Sequence, residues 1–311
     1  MPFKREPQVF SARVGSLSFG AGANEITLGG ENVLPLYSFD APIINRPKIG
    51  VAINDSGFAQ GIPGLGEFYS GAGTVAEIAK RAASMPGADF LVISLIGAHP
   101  NNGDKSPEEC AALISEIESA VDIPIAVEGC GNAEKDAKVF EKISEELYGK
   151  NILVLSACEE NYKSVAAAGL AYSQNIAAES SVDVNLAKQL NVLISQIGLK
   201  PAKTVMNVGS AAAGYGFEYV SSTMERTRIA ALEQNDSMLQ LPIITPVYSQ
   251  AWAVKESLAS EEDYPDWGPA EERGISMEIA TAAACLASGS NAVILLHPKS
   301  VATVSALIRG L

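Results

Sequence analysis

Short runs of aliphatic and β-branched residues alternate with longer amphipathic stretches along most of the chain. Eight such runs occur: KIGVAIN from residue 48, ADFLVISLIG from 88, IPIAVEG from 123, ILVLSAC from 152, NIAAES from 175, TVMNVG from 204, PIITPV from 242 and NAVILLH from 291. Nearly continuous apolarity of this kind marks parallel strands covered on both faces. The stretches between them show one apolar face at helical spacing, as at Cys110, Leu113, Ile114, Ile117 and Val121, or Leu186, Leu190, Leu193 and Ile197. A strand followed by a helix, eight times over, predicts an α/β fold of the (β/α)8 TIM-barrel type in preference to an open doubly wound sheet. Ahead of the barrel, Ala12 to Phe19 and Asn24 to Leu28 flank Gly20-Ala21-Gly22, which signals a β-hairpin. The expected organisation is an N-terminal segment with a hairpin over 1–47 and a barrel over 48–311, forming one structural domain, and the 311 residues suit that reading.

Composition narrows the choice of partner. Hydrophobic residues make up 47% and charged residues 19%, enough to bury a sizeable core. With 22 basic against 36 acidic residues the net charge is −14, a field that repels nucleic acid and anionic lipid. No apolar run reaches the roughly 18 residues of a membrane span, and the opening MPFKREPQVF lacks the apolar core of a signal peptide, so the cytoplasm is the expected location. Cys110, Cys130, Cys158 and Cys285 are dispersed, without a C-x-x-C pair, so spacing indicates neither a zinc site nor an iron–sulfur cluster on this chain. Cys110, on an apolar helical face, reads as a buried structural thiol.

In a barrel of this kind functional groups gather where the strands end, because the following loops converge on one mouth. That mouth should hold Asn54, Asp55, Gly97, His99, Glu128, Cys130, the stretch Cys158 to Asn161, Glu179, Ser180, Asn207, Gly209, Val247, Tyr248 and His297. The set is rich in amide, carboxylate and thiol groups and poor in positive charge, which suits a neutral polar ligand better than a free phosphate. No G-x-G-x-x-G or G-x-x-x-x-G-K-[ST] string occurs. Two histidines without a third ligand are a weak metal signal, and hydrogen bonding is the better reading of both. Glu128, Glu159 or Glu179 would serve as a general acid only if desolvation raised its pKa, and a solvated or amide-paired carboxylate is the plainer alternative. Two connections exceed what a barrel needs: 55–74, with six glycines, and the acidic 259–274. Long loops on a rigid barrel often carry function.

Spaced strings over nearly the whole chain resemble the small subunit of the corrinoid iron–sulfur protein, equivalent to the delta subunit of acetyl-CoA decarbonylase/synthase. They are LGG with LPLYSFD, INRPKIGVAIND, GCGNAEKD, ENYK, KQLNVLI, GYGFEY, MERTRIAAL, AWAVKE, DWG with ERG, and LLHP. The resemblance implies a TIM barrel paired, as a heterodimer, with a large subunit that carries a four-iron four-sulfur cluster and the cobalamin-binding domain. Cobalamin would lie at the interface, its upper face toward this barrel. Its cobalt would take a methyl group from methyltetrahydrofolate through a separate methyltransferase and deliver it to acetyl-CoA synthase/carbon monoxide dehydrogenase, within the Wood–Ljungdahl pathway of carbon fixation in an anaerobe such as an acetogen. On this reading the chain has no catalytic residue and no metal of its own. Its candidate cofactor-facing residues are Asn54, Asp55, Glu128, Cys130, Gly131, Asn161, Glu179, Ser180, Asn207 and His297. The chain departs from the family pattern at Asn207-Val208, where Asp-Pro is common, and at Ile96, where aspartate is usual. Both departures remove negative charge from the mouth, so individual ligand contacts do not carry over. They also weaken the alternative of a stand-alone pterin-dependent methyltransferase; an unrelated barrel enzyme is the third reading. Phe58, Phe68, Tyr69, Tyr264 and Trp267, in the two long loops, are the candidate anchors of the subunit interface, since aromatic residues are enriched among interface hot spots.

Overall fold

The computed structural model describes residues 6–311. Residues 1–5, on which part of the leader reading rests, lie outside the described residues. The hairpin forms from β1 (Ser16–Phe19) and β2 (Ile26–Gly29), antiparallel, with Phe19 opposite Ile26. The barrel follows in order: β3 (Lys48–Asn54), α1 (Leu65–Phe68), α2 (Val75–Ala83), β4 (Phe90–Ser94), α3 (Pro107–Ala120), β5 (Ile125–Glu128) and α4 (Ala133–Glu146). Next come β6 (Leu153–Ala157), α5 (Tyr162–Ala171), β7 (Asn175–Glu179), α6 (Val184–Ile197), β8 (Thr204–Asn207) and α7 (Phe217–Leu232). The last quarter holds β9 (Ile244–Thr245), α8 (Val247–Ala251), α9 (Lys255–Leu258), α10 (Ala270–Ser288), β10 (Ala292–Leu295) and α11 (Pro298–Arg309). All eight runs of the sequence become strands of one parallel sheet, in the order β8-β7-β6-β5-β4-β3-β10-β9. A single parallel bridge, Met206 with Ile243, joins the two edges, and Met206 N donates to the Pro242 carbonyl at 2.8 Å.

The strand interiors are buried on both faces, as Val51, Leu91, Val92, Ile93, Val127, Ile176 and Val293 show. The seventh run is six residues long in sequence but pairs over only two. Pro242 and Pro246 bracket it, and proline has no N–H to give to a ladder. Gly50 is required by a close approach: its register partner is Phe90, and a Cβ would lie 2.5 Å from that ring. Helix starts are locally encoded. Thr74 with Glu77, and Ser106 with Glu109, form capping boxes for α2 and α3. On α3 the expected face is inward, with Cys110, Ile114 and Ile117 fully buried. On α6 the buried stripe is turned by about one position, to Ala187, Leu190, Asn191 and Ile194, and Leu186, Leu193 and Ile197 flank it half-buried. Asn191 is admitted there because its amide donates to the Met238 carbonyl at 2.7 Å. Among the described residues no helix is long and apolar enough to cross a membrane.

The hairpin covers the end of the barrel where the strands begin. Leu17, Phe19 and Leu28 are buried, and the Phe19 ring meets that of Phe90 edge-on at 5.3 Å. Gly15 N donates to the Gln240 carbonyl just before β9, and Gly20 N to that of Asn151 just before β6, both at 2.8 Å. The Asn151 amide returns bonds to the Ser18 and Gly20 carbonyls. At the same end Arg228, on α7, is completely enclosed. Its guanidinium donates to the carbonyls of Gly289 (2.7 and 3.0 Å) and Leu241 (2.9 Å) and to Asn291 Oδ1 (2.5 Å). Asn291 also accepts from Ile243 N and donates to Glu31, at 3.0 and 2.7 Å. Burial lowers the Arg228 pKa to about 10, partly offset by Glu31, so the group stays cationic at neutral pH.

Arg228→Met should therefore destabilise the chain by about 3 kcal/mol or more, because it strands several buried acceptors at once. Arg228→Lys should restore only part of the loss, since a point charge does not span acceptors held by a planar fork. Denaturant unfolding measures both, and a loss below about 1 kcal/mol for Arg228→Met would contradict the seam role given to this residue.

Candidate functional site

The strand ends place the nominated side chains around one mouth, and ladder register brings several into rows. Asn54, Ser94 and Glu128 are successive register partners across β3, β4 and β5, and Glu179 pairs with Asn207 across β7 and β8. Most of these groups are turned onto the chain's own backbone. Asn54 Oδ1 accepts from Ser56 N and Oγ at 3.0 and 2.8 Å. Asp55 is buried, accepts from Gly97 N at 3.0 Å and pairs with Lys105 Nζ at 3.0 Å. Cys130 N and Gly131 N both donate to Asp136, at 2.7 and 3.1 Å, so the post-β5 loop is wrapped around that buried carboxylate. Asn161 Oδ1 accepts from Cys158 N at 2.9 Å, and Asn207 Oδ1 from Gly209 N at 3.1 Å. Ser180 N donates to the Asn207 carbonyl, while Ser180 Oγ, fully buried, has no hydrogen-bond partner among the described residues.

One interaction crosses the mouth. Tyr248, in α8 directly after β9, donates its phenol proton to Glu128 at the end of β5. These two strands stand four places apart in the ring of eight, diametrically opposite. Burial pushes the Glu128 carboxyl up, against the hydrogen bonds from Tyr248 and Ser94, and the nearby Glu179 and Asp136 charges push it the same way. Burial, with the Glu128 charge, also pushes the Tyr248 phenol up. Sequence position identified Tyr248 as a mouth residue but gave no reason to pair it with Glu128, from which it is separated by 120 residues.

His297 caps a helix through one ring nitrogen, while its Nε2 lies 3.5 Å from Glu271 Oε1 and has no hydrogen-bond partner among the described residues. It is 1% exposed, its Nδ1 accepts from Lys299 N at 3.2 Å to cap α11, and its ring stacks on Trp252 at 5.8 Å. Burial depresses its pKa to about 4, only partly countered by Glu271. Beside it lies Glu278, a residue that the sequence gives no reason to single out, since nothing local marks one glutamate of a helix as enclosed. Its carboxylate is fully enclosed and accepts from Leu296 N at 2.7 Å and His297 N at 3.2 Å. Burial raises its pKa to about 7, against the hydrogen bonds from the Leu296 and His297 N–H groups. Gly274 makes room for the Trp252 ring, which a Cβ there would meet at 2.0 Å.

Burial disfavours the thiolate at all four cysteines, raising Cys130 and Cys110 to about 11 and Cys285 to about 12, and raising Cys158 as well. No group of three or more His, Cys, Asp or Glu side chains is placed to hold a metal among the described residues. Of the aromatics nominated as anchors, Tyr69 is 2% exposed, stacked on Phe58 at 4.9 Å and edge-on to Phe68 at 4.8 Å, so the first long loop folds over its own aromatic cluster. Trp267 is the one that remains at the surface, 39% exposed.

Residues 16–277 match the family described as CO dehydrogenase/acetyl-CoA synthase delta subunit. The chain belongs to the CO dehydrogenase/acetyl-CoA synthase delta subunit family. Among its relatives, the acetyl-CoA decarbonylase/synthase complex subunit delta 2 of Methanosarcina acetivorans is 33% identical over 300 residues, covering 94% of this chain and 67% of that one. The delta subunit of Methanothermobacter thermautotrophicus is 34% identical over 296 residues, covering 94% and 74%. Solved structures of similar fold are dihydropteroate synthases. That of Coxiella burnetii in complex with pteroic acid has a TM-score of 0.57 at 13% identity, over 89% of this chain and 98% of that one. That of Xanthomonas albilineans has a TM-score of 0.55 at 10% identity, over 95% and 98%. At such identities the likeness shows the TIM-barrel fold of this delta-subunit relative and nothing of its ligands.

Tyr248→Phe removes the donor that Glu128 uses across the mouth and should cost about 1–3 kcal/mol of stability without loss of the fold; denaturant unfolding with circular dichroism checks both. Glu278 gives a pH dependence with a defined sign. Its folded pKa, about 7, exceeds the ordinary 4.5, so its contribution is fully favourable below about 4.5 and is lost as pH rises toward 7. The wild type should therefore lose about 3 kcal/mol of its advantage over Glu278→Gln between pH 4.5 and 7.5. An advantage that stays constant or grows over that range would show that the carboxyl is ionised throughout.

Proposed function

We propose that the chain is the small subunit of a corrinoid iron–sulfur methyl carrier and that its barrel mouth covers the upper face of cobalamin held by a large subunit. The relatives' names place them in acetyl-CoA decarbonylase/synthase complexes, which supports a role beside partner chains. The observation that carries the covering role is the state of the mouth. Its axis is crossed by the chain's own Tyr248–Glu128 hydrogen bond, and Asn54, Asp55, Asn161 and Asn207 are spent on their own loops. A surface of that kind presents mostly satisfied amides and carbonyls to a neighbour and offers few unpaired groups to a small substrate.

The residues fit a corrin as a cover and not as an axial ligand. His297, 1% exposed, is enclosed beside Glu271 and presents no nitrogen to the mouth's surface, and Ser210 Oγ, after β8, lacks a hydrogen-bond partner among the described residues and suits an amide side chain at the rim of a corrin. Cobalamin, when bound, supplies a cobalt centre that accepts a methyl group and gives it up. The chain's part is to exclude water and oxidants from that face and to move aside when a methyl donor or acceptor approaches along the same axis. The donor side of this reading is a methyltetrahydrofolate methyltransferase, the acceptor acetyl-CoA synthase, the iron–sulfur cluster belongs to the large subunit, and the compartment is the cytoplasm. The negative field of the chain, −14, supports protein partners in place of nucleic acid or an anionic membrane surface.

The chain purified alone should hold neither cobalt nor iron in stoichiometric amount and, co-expressed with a cobalamin-bearing large subunit, should elute with it as a 1:1 complex in size exclusion with light scattering. In that complex the reduced cobalt should oxidise about tenfold more slowly than in the large subunit alone. Separate elution at micromolar concentration would overturn the pairing. Methyl transfer from methyltetrahydrofolate to free cobalamin by the isolated chain would favour the stand-alone methyltransferase.

A further inference from the structure

The segment between α9 and α10 builds a surface instead of filling the barrel. Tyr264 and Trp267 stack with ring centroids 4.2 Å apart; Lys255 Nζ lies 4.2 Å from the Tyr264 centroid, and the Arg273 guanidinium 5.7 Å from that of Trp267. This stack leaves Trp267 at the edge of an open cleft of about 670 Å³. One wall is the outer stripe of α10, with Arg273, Ser276, Met277 and Ala280 at the i, i+3, i+4 and i+7 positions of one helix face. Across from it lie Ala213, in the loop after β8, and Glu256, which accepts from the half-exposed Tyr215 at 2.5 Å. Ala213, Ser276 and Ala280 are small and leave depth for an incoming side chain. Trp267, Tyr215, Met277 and Arg273 are of the types concentrated where proteins meet partners.

The charges around the cleft are unbalanced. Glu256 and Glu272 line it, and Glu261, Glu262, Asp263 and Asp266 lie in the adjoining loop; none of these six is in an ion pair among the described residues. The two nearby cations, Lys255 and Arg273, are laid against the aromatic rings. The result is an apolar floor inside an acidic rim. Every element involved follows β8 or β9, so the cleft opens beside the mouth at the same end of the barrel. A partner that brings a cofactor to the mouth lands next to it.

We propose that the cleft between α10 and Trp267 docks a segment of the corrinoid-bearing partner subunit that carries an apolar anchor flanked by lysine or arginine. The identity of the partner rests on the methyl-carrier reading above; the chemistry of the segment rests on the cleft. The anchor fills the space over Met277 and Ala280, and the basic flanks meet Glu256 and Glu272. Charge pairing at such a rim governs the rate of association and its salt dependence, and the buried anchor governs how long the complex lasts.

The test is titration of the full chain with purified large subunit, at low and at physiological ionic strength. Ala280→Trp, which fills the cleft, should weaken binding about tenfold or more. Glu272→Lys should weaken it and flatten its salt dependence, while Glu146→Lys, a reversal on the far end of α4, should leave both as in the wild type. Circular dichroism and thermal midpoints confirm that each variant is folded, and Glu272→Lys, at an exposed position, carries the test if Ala280→Trp does not fold. Wild-type affinity and salt dependence in both cleft variants would overturn the cleft as the docking site and leave the methyl-carrier reading standing. Failure of the wild type to bind the large subunit at micromolar concentration would overturn both.

Discussion

A buried guanidinium closes this barrel. Eight parallel strands form a ring only if every neighbouring pair meets, and here β8 and β9 touch through one bridge because proline on either side of β9 leaves it two residues long. Beside that weak seam, Arg228 ties the helix that follows β8 to the starts of β9 and β10. From α7 it reaches the chain just before β9 at Leu241 and just before β10 at Gly289 and Asn291, so α7 and two neighbouring strands are tied to one planar group. Asn291 extends the same network to Ile243 and, through Glu31, to the N-terminal segment. Burying an unpaired charge is costly, so the arrangement is all-or-none: the guanidinium is tolerated only with every acceptor in place.

The two ends of the barrel are finished differently, and function follows from the difference. Where the strands begin, a hairpin seals the core with Leu17, Phe19 and Leu28 and shares Asn151 as a hydrogen-bonding hub with β6, β7 and β8. That end has only stability to provide. Where the strands end, polar side chains are plentiful and most are turned onto the chain's own loops, and one tyrosine spans the opening to a carboxyl on the opposite strand. A rigid, internally paired surface of this sort suits contact with a bulky group carried by another molecule, since little needs to be desolvated without compensation. The acidic cleft beside it extends the same end of the barrel into a surface for protein.

Three clusters at the mouth, one local and two between elements remote in sequence, explain why the loops there are ordered. Asp136 gathers the post-β5 loop, Asp55 with Lys105 fixes the post-β3 loop to the one after β4, and Glu278 with Trp252 and His297 ties α10 and α8 to the end of β10. Each buries a titratable group whose hydrogen bonds come mainly from backbone N–H groups, which hold a loop in one place without fixing which side chains it displays.

The sequence determined the architecture. Period and composition fix strand and helix identities, because a strand buried on both faces and a helix with one apolar face impose different spacings on any chain; thus all eight runs and the hairpin were legible, as were the inward turn of Cys110, Ile114 and Ile117 and the list of residues at the strand ends. The pairings among those residues belong to the tertiary structure alone. That Tyr248 crosses to Glu128, that Glu278 sits enclosed beside His297, that Arg228 within an ordinary helical string clasps the seam, and that Tyr69 turns inward while Trp267 stays out, all depend on contacts between positions far apart along the chain. Periodicity reports which way a residue faces relative to its neighbours in sequence. It does not carry the distance between two such faces, which is set only when the ring of strands closes.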